Sequence, residues 1–158
     1  MEHLNNESYT GLLVVSNIVA VLQLFAAFKW PAIARFSFFF LFAWASWTNW
    51  VTSQHTPHVY LEYADFAWSR AYREFITGWF SQHIELAVGC IATCQALIAI
   101  AILLKGFLFL IGCIAAIIFL LAILPLGIGA GFPCTAIMAI ALLVLLKKHP
   151  VLDRKSVV

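Results

Sequence analysis

The chain is a succession of long apolar runs set apart by short polar punctuation. Five runs stand out. They are Gly11–Phe28, closed by Lys29-Trp30-Pro31; Ile33–Trp50, dense in Phe and Trp; Ile84–Leu104, ahead of Lys105-Gly106; Phe107–Leu124, ended by Pro125; and Phe132–Leu146, stopped by Lys147-Lys148. Each approaches the roughly 20 residues that carry an α-helix across a hydrocarbon core of about 30 Å. The pattern predicts an all-α fold, a polytopic transmembrane bundle of about five spans forming a single domain over residues 1–158. The first run is interrupted by Ser16, Asn17 and Gln23, and the fifth is the shortest, leaning on the Gly-rich turn before it.

The one sizeable polar stretch lies between the second and third runs, from Val51 to His83. Within it, residues 59–78 are amphipathic at helical spacing: Leu61, Ala64, Trp68, Ala71, Tyr72, Phe75 and Trp79 share one side, and Glu62, Asp65, Ser69, Arg73 and Thr77 the other. The expectation is a helix lying in the outer interface with its apolar face down, or folded back over the bundle as a cap. Arg70 and Glu74 are spaced to pair across one turn.

Composition sharpens the solvent assignment. The chain is 64% hydrophobic and 10% charged, too little charge to cover a water-soluble surface, so lipid surrounds most of it. A net charge of +2 points away from nucleic acid, and the partners expected are the bilayer and other membrane subunits. With five spans, Lys29, Arg35, Lys105, Lys147, Lys148, Arg154 and Lys155 share a side, against Arg70 and Arg73 among Glu2, Glu7, Glu62, Asp65 and Glu74 on the other. The positive-inside rule places the first group in the cytoplasm and the N-terminus outside. A four-span arrangement splits the basic set and ranks second. The acidic N-terminus is the opposite of a basic signal-peptide n-region.

Several residues are candidates for chemistry. Glu85 opens the third run on a face shared with Gly89, Ala92 and Ala96. Small residues let helices approach closely, so Glu85 is expected to point into the bundle, where an ionisable group often marks function; the alternative is a headgroup-level residue bonded to loop donors or to Arg70 or Arg73. His55, His58, His83 and Glu85 carry the imidazole and carboxylate ligands of a Zn or Cu site, although interfacial hydrogen bonding serves them equally. Cys90 and Cys94 stand one turn apart, and with Cys113 and Cys134 they read as small buried hydrophobes rather than a reactive CxxC pair. Trp44, Trp47, Trp50, Trp68 and Trp79 gather toward the outer interface as an aromatic belt. The sharper reading is a groove for a flat apolar ligand such as a quinone, with Gln95 as polar handle; Gln95 also suits interhelical hydrogen bonding. Gly127, Gly129 and Gly131 form a tight outer turn without the strand or GK[ST] of a phosphate cradle, and Asn6-Glu7-Ser8 matches the glycosylation sequon.

Residues 35–106 resemble the DoxX-like family of small bacterial membrane proteins. The likeness is carried by a helix opening at Arg35, the H-T-P-H-x-Y segment from His55 to Tyr60, and the I-E-L-A-V-G run from Ile84 to Gly89. The chain departs from the family in lacking the Gly-x-x-Lys-Leu ending of the corresponding first helix and in carrying an extra span in front. The resemblance implies a four-helix core plus one added helix and, through some relatives, association with quinone-linked sulfur oxidoreductases. Four functions follow from these features. First comes an accessory or scaffolding subunit of a larger membrane complex, without catalysis of its own. A quinone- or lipid-binding redox component built on Glu85, Gln95, Trp44 and Trp47 is second. A small transporter and a metal-dependent enzyme at the histidines complete the set.

Overall fold

The computed structural model describes residues 2–148, with side chains from residue 10 onward; the expectations placed on Glu2, Asn6, Glu7, Arg154 and Lys155 lie outside those described side chains. Seven α-helices are formed and no strand is present among the described residues. Helix α1 spans Glu2–Lys29 and α2 Pro31–His55; α3 (Tyr63–Phe66) and α4 (Arg70–Phe75) are short; α5 spans Ile84–Leu103, α6 Phe107–Ile123 and α7 Cys134–Lys147. The stops follow local chemistry. Trp30 alone joins α1 to α2, because Pro31 cannot continue α1 yet suits the first turn of α2. Pro57 drives Thr56 out of the helical region and ends α2. Gly106, at φ 63°, turns the chain between α5 and α6.

The five long helices form a closed ring. They pack in the cyclic order α1, α2, α5, α6, α7, with α7 returning to α1, and the α2–α5 and α1–α7 seams are the most extensive. Three segments are long and apolar enough to cross a membrane: Thr10–Lys29, Ile84–Leu103 and Phe107–Ile128. Helix α2, with 25 residues and therefore about 37 Å of length, misses that criterion because Ser46, Thr48, Asn49, Thr52 and Ser53 lower its hydropathy. Helix α7 is apolar but has 14 residues. Large apolar side chains stand exposed along the ring's outer surface, including Leu22, Phe40, Leu97 and Ile118, which a water-soluble monomer does not tolerate.

Lys29, Arg35, Lys105, Lys147 and Lys148 lie at one end, and Arg35 and Lys148 close helix termini there. Arg35 donates from Nε to the Ile102 carbonyl at 3.0 Å and from its terminal nitrogen to the Leu104 carbonyl at 2.5 Å. The same guanidinium lies 4.4 Å from the centre of the Phe109 ring. The last carbonyls of α5 thereby gain charged donors, favourable also toward the helix dipole. Lys148 does the same for α1 by donating to the Phe28 carbonyl.

At the other end the polar stretch folds over the ring. It is not one interfacial helix over residues 59–78. A 3-10 turn (Pro57–Glu62) leads into α3; Ala67 and Ser69 are extended; α4 runs into a π-helical turn (Ile76–Phe80) that breaks at Gly78. Each break rotates the sequence about its axis, so the buried face becomes Tyr60, Ala64, Ala67, Ile76 and Phe80, while Trp68, Phe75 and Trp79 remain exposed. The cap is fastened to the α6–α7 turn: the Trp68 backbone N–H donates to the Pro125 carbonyl at 2.9 Å, and the Trp68 ring meets Phe132 edge-on at 4.7 Å. Gly127 permits this approach. It sits at φ +63°, and a Cβ there would lie 2.6 Å from Trp68 Nε1 and 2.8 Å from the Phe66 carbonyl.

The Arg35 contacts yield a direct expectation. Arg35→Ala should lower unfolding stability in mild detergent by about 2–4 kcal/mol, through the loss of two charged hydrogen bonds and a ring contact. Arg35→Lys should recover less than half of that, since a point charge cannot serve two carbonyls as a planar fork does. Equal stability of all three proteins would contradict the capping role.

Candidate functional site

Inside the cap-side half of the ring lies a cavity of about 460 Å³, within the roughly 300–1,000 Å³ range of small-molecule sites. Phe42, Phe119, Leu120 and Met138 contribute from α2, α6 and α7, and Leu41, Ala45, Val88 and Ile91 from the α2–α5 seam. The cap contributes Tyr63, Tyr72, Phe75, Ile76 and Phe80. No Asp, Glu, Lys, Arg or His is among the residues that line it.

Ser16, Tyr63, Tyr72 and Cys134 bring polar atoms to the lining, and the buried amides there belong to one hydrogen-bonded chain. Side chains on a helix tilt toward its N-terminus. Helices α2 and α5 are antiparallel, so Asn49 leans inward from α2 and Gln95 leans outward from α5 until they meet. Asn49 Nδ2 donates to Gln95 Oε1 at 2.8 Å. From the cap, the Tyr60 hydroxyl donates to Asn49 Oδ1 at 3.0 Å, with the Asn49 backbone carbonyl 3.3 Å away. Gln95 is 3% exposed and Tyr60 8%. The chain thus ties the cap to both walls of the most extensive seam. Ser46 reinforces that seam by donating to the Ala92 carbonyl at 2.7 Å. On the opposite side of the roof, the Tyr72 hydroxyl donates to the Ala122 carbonyl at 2.6 Å, fastening α4 to the end of α6.

Burial pushes the Tyr60 phenol above its ordinary value; neighbouring Tyr63 adds to the rise, and the Thr52 hydroxyl opposes it. The phenol is therefore neutral at physiological pH and acts as a hydrogen-bonding group rather than a charge.

Of the four residues expected to form a ligand groove, Gln95 alone lines this cavity. Helix α2 turns Phe38, Phe42 and Asn49 inward, which leaves Trp44 and Trp47 on its opposite face at 66% and 68% exposed. With Phe36 and Phe40 they form an outward aromatic ridge, and Trp47 and Trp50 border a separate shallow groove open between α2 and α5. Glu85 is exposed in the first turn of α5 instead of pointing into the bundle. A carboxylate there is favourable toward the helix N-terminus. Arg70 bonds Glu74 at 2.7 Å on the surface, and Arg73 bonds the Ala67 carbonyl.

The metal set does not assemble. His55, His58, His83 and Glu85 are spread over the end of α2, the 3-10 turn and the start of α5, and no group of three or more His, Cys, Asp or Glu able to hold a metal exists among the described residues. His83 stacks on Trp79 at 4.7 Å and its Nδ1 lies 2.9 Å from the Trp79 carbonyl. The four cysteines are free; Cys113 and Cys134 are buried as expected of small hydrophobes, whereas Cys90 and Cys94 are exposed on the outer face of α5.

Asn49 and Tyr60 are the site residues that hydrophobic-run reading passes over. Their signal was present: Ser46, Asn49 and Ser53 recur at helical spacing within an aromatic run, a polar stripe that must find partners inside the protein. No family model, no curated protein and no solved structure matches the chain.

Titration checks the placement of Tyr60. The unfolded chain ionises its tyrosines near 10.0 and the folded chain holds Tyr60 protonated to higher pH. This contribution to stability is complete below that value and is lost as pH rises through it and through the raised folded value. Thermal unfolding from about pH 8 to about pH 11 should therefore fall more steeply for the wild type than for Tyr60→Phe. Parallel profiles would contradict the buried phenol.

Proposed function

We propose that this chain is a five-span membrane protein that holds an uncharged, largely apolar ligand in its intramembrane cavity, with the Tyr60–Asn49–Gln95 chain as the polar anchor. The observation that carries this reading is the juxtaposition of a cavity of about 460 Å³ with a buried amide chain and no charged lining residue. The pocket is partly open to its surroundings and its lining is mostly apolar, so an apolar molecule can enter it. An occupant drawn from the bilayer, a lipid chain or a lipid-soluble ring such as a quinone, suits it. The DoxX-like resemblance favours a ring over a chain. The scaffolding-subunit reading draws on the exposed ridge of Phe36, Phe40, Trp44 and Trp47, which lipid covers equally well.

The proposed topology puts the cap outside and the basic end in the cytoplasm. Its support is the gathering of Lys29, Arg35, Lys105, Lys147 and Lys148 at one end of the ring, with Glu62, Asp65, Glu74 and Glu85 at the other. A thiol reagent that cannot cross membranes should label Arg70→Cys on intact cells above the unsubstituted background and leave Lys148→Cys unlabelled. The reverse pattern would invert the topology.

Ligand retention is tested by native mass spectrometry of the protein in nanodiscs. The wild type should carry about one small lipid-soluble molecule per chain beyond annular phospholipid. Gln95→Leu should lower its occupancy about five- to tenfold, the worth of one hydrogen bond. If both proteins release phospholipid alone, the ligand-binding reading fails.

A further inference from the structure

The direction of hydrogen bonding along the buried chain determines what an occupant must offer. An amide side chain has an acceptor end and a donor end and can turn either toward a neighbour. Tyr60 biases that choice. Its hydroxyl donates to Asn49 Oδ1 at 3.0 Å, closer than the Asn49 backbone carbonyl at 3.3 Å. With the phenol donating there, Asn49 turns its oxygen toward the cap and its nitrogen toward α5. That nitrogen donates to Gln95 Oε1 at 2.8 Å, which turns the Gln95 NH₂ group away from Asn49 in a side chain that is 3% exposed and lines the cavity. Each orientation favours the next.

We infer that Tyr60 is a positioning residue: by setting the polarity of the Asn49–Gln95 pair it makes the site a hydrogen-bond donor, selective for uncharged apolar molecules that carry a carbonyl or comparable acceptor. The inference rests on the ligand-binding reading of the cavity. The bilayer interior gives such a carbonyl no donor of its own, so a ketone gains on entering the cavity what a hydrocarbon of the same shape does not. The Tyr60 ring meets Asn49 from the cap, and its effect on the ligand passes through the two amides.

The test uses two matched probes on nanodisc-embedded protein: an isoprenoid ketone, geranylacetone, labelled with ¹³C at its carbonyl, and the hydrocarbon in which a methylene replaces that carbonyl. The ketone should bind about tenfold more tightly, and its ¹³C=O stretching band should shift to lower frequency relative to the same ketone in protein-free nanodiscs. In Tyr60→Phe the amides can turn over, so the shifted band should lose intensity to an unshifted one and the ketone preference should fall toward parity, with hydrocarbon affinity retained. Gln95→Met, which keeps length and removes the donor, should abolish the shifted band and covers the case in which Tyr60→Phe does not fold. Equal binding of the two probes with an unshifted band overturns the donor polarity and leaves the cavity reading standing. A shifted band and full preference persisting in Tyr60→Phe overturn the positioning role of Tyr60. If neither probe binds the wild type, the cavity reading itself falls, and the inference with it.

Discussion

Inside hydrocarbon a polar side chain has only the protein to bond with, and that constraint organises this molecule. At the basic end it is met by Arg35 and Lys148, which satisfy the terminal carbonyls of α5 and α1. Along the α2–α5 seam it is met by Ser46 bonding to Ala92 and by the Tyr60–Asn49–Gln95 chain. Two of the polar residues that follow the phenylalanine run of α2, Ser46 and Asn49, join it to α5. The same polarity that weakens α2 as an isolated span makes it the centre of the ring's contacts and one wall of the cavity.

The cap and the cavity depend on one another. Five helices packed in a ring leave space at the cap end, where Ala45, Ala122 and Ala130 stand among the lining residues. The broken segment from Pro57 to Phe80 covers that space with aromatic rings. Besides the Tyr60 bond to Asn49, it docks on the α6–α7 side through Trp68 on the Pro125 carbonyl and Tyr72 on the Ala122 carbonyl, with Gly127 clearing the way for Trp68. A single continuous helix over the same residues would keep one straight apolar stripe and could not follow the curved rim of the ring. The extended backbone at Ala67 and Ser69 and the break at Gly78 let short turns do so.

Helix termini were legible in the sequence because their causes are local. Pro31, Gly106 and the lysines at 29, 105, 147 and 148 mark ends that lie within a few residues of the observed ones, whereas α2 runs past the expected Trp50 to His55. The rotation of each helix about its own axis was not legible, because it depends on neighbours distant in sequence. Grouping Phe40, Trp44 and Trp47 on one face of α2 was sound geometry, yet that face turns outward once Phe38, Phe42 and Asn49 pack against the other helices. Glu85 shares a stripe with Ala92, but the buried stripe of α5 runs through Ile84, Val88, Ala92 and Gln95, which leaves the carboxylate outside. Gln95 could be singled out because a mid-span amide is costly without a partner. Its link to Asn49 and Tyr60 was less visible, since Asn49 sits 46 residues from Gln95 and Tyr60 joins the pair only through Asn49, 11 residues away.

The central claim is that the cavity beneath the cap is a ligand site anchored at Gln95, and an experimental density map of the protein in nanodiscs addresses it most directly. The account predicts continuous density between α2, α5 and α6 under Tyr63 and Phe80, ending within hydrogen-bonding distance of Gln95 Nε2. A map in which these helices close together, or in which Gln95 Nε2 donates to another protein group and the space is filled by the protein's own residues, would contradict it.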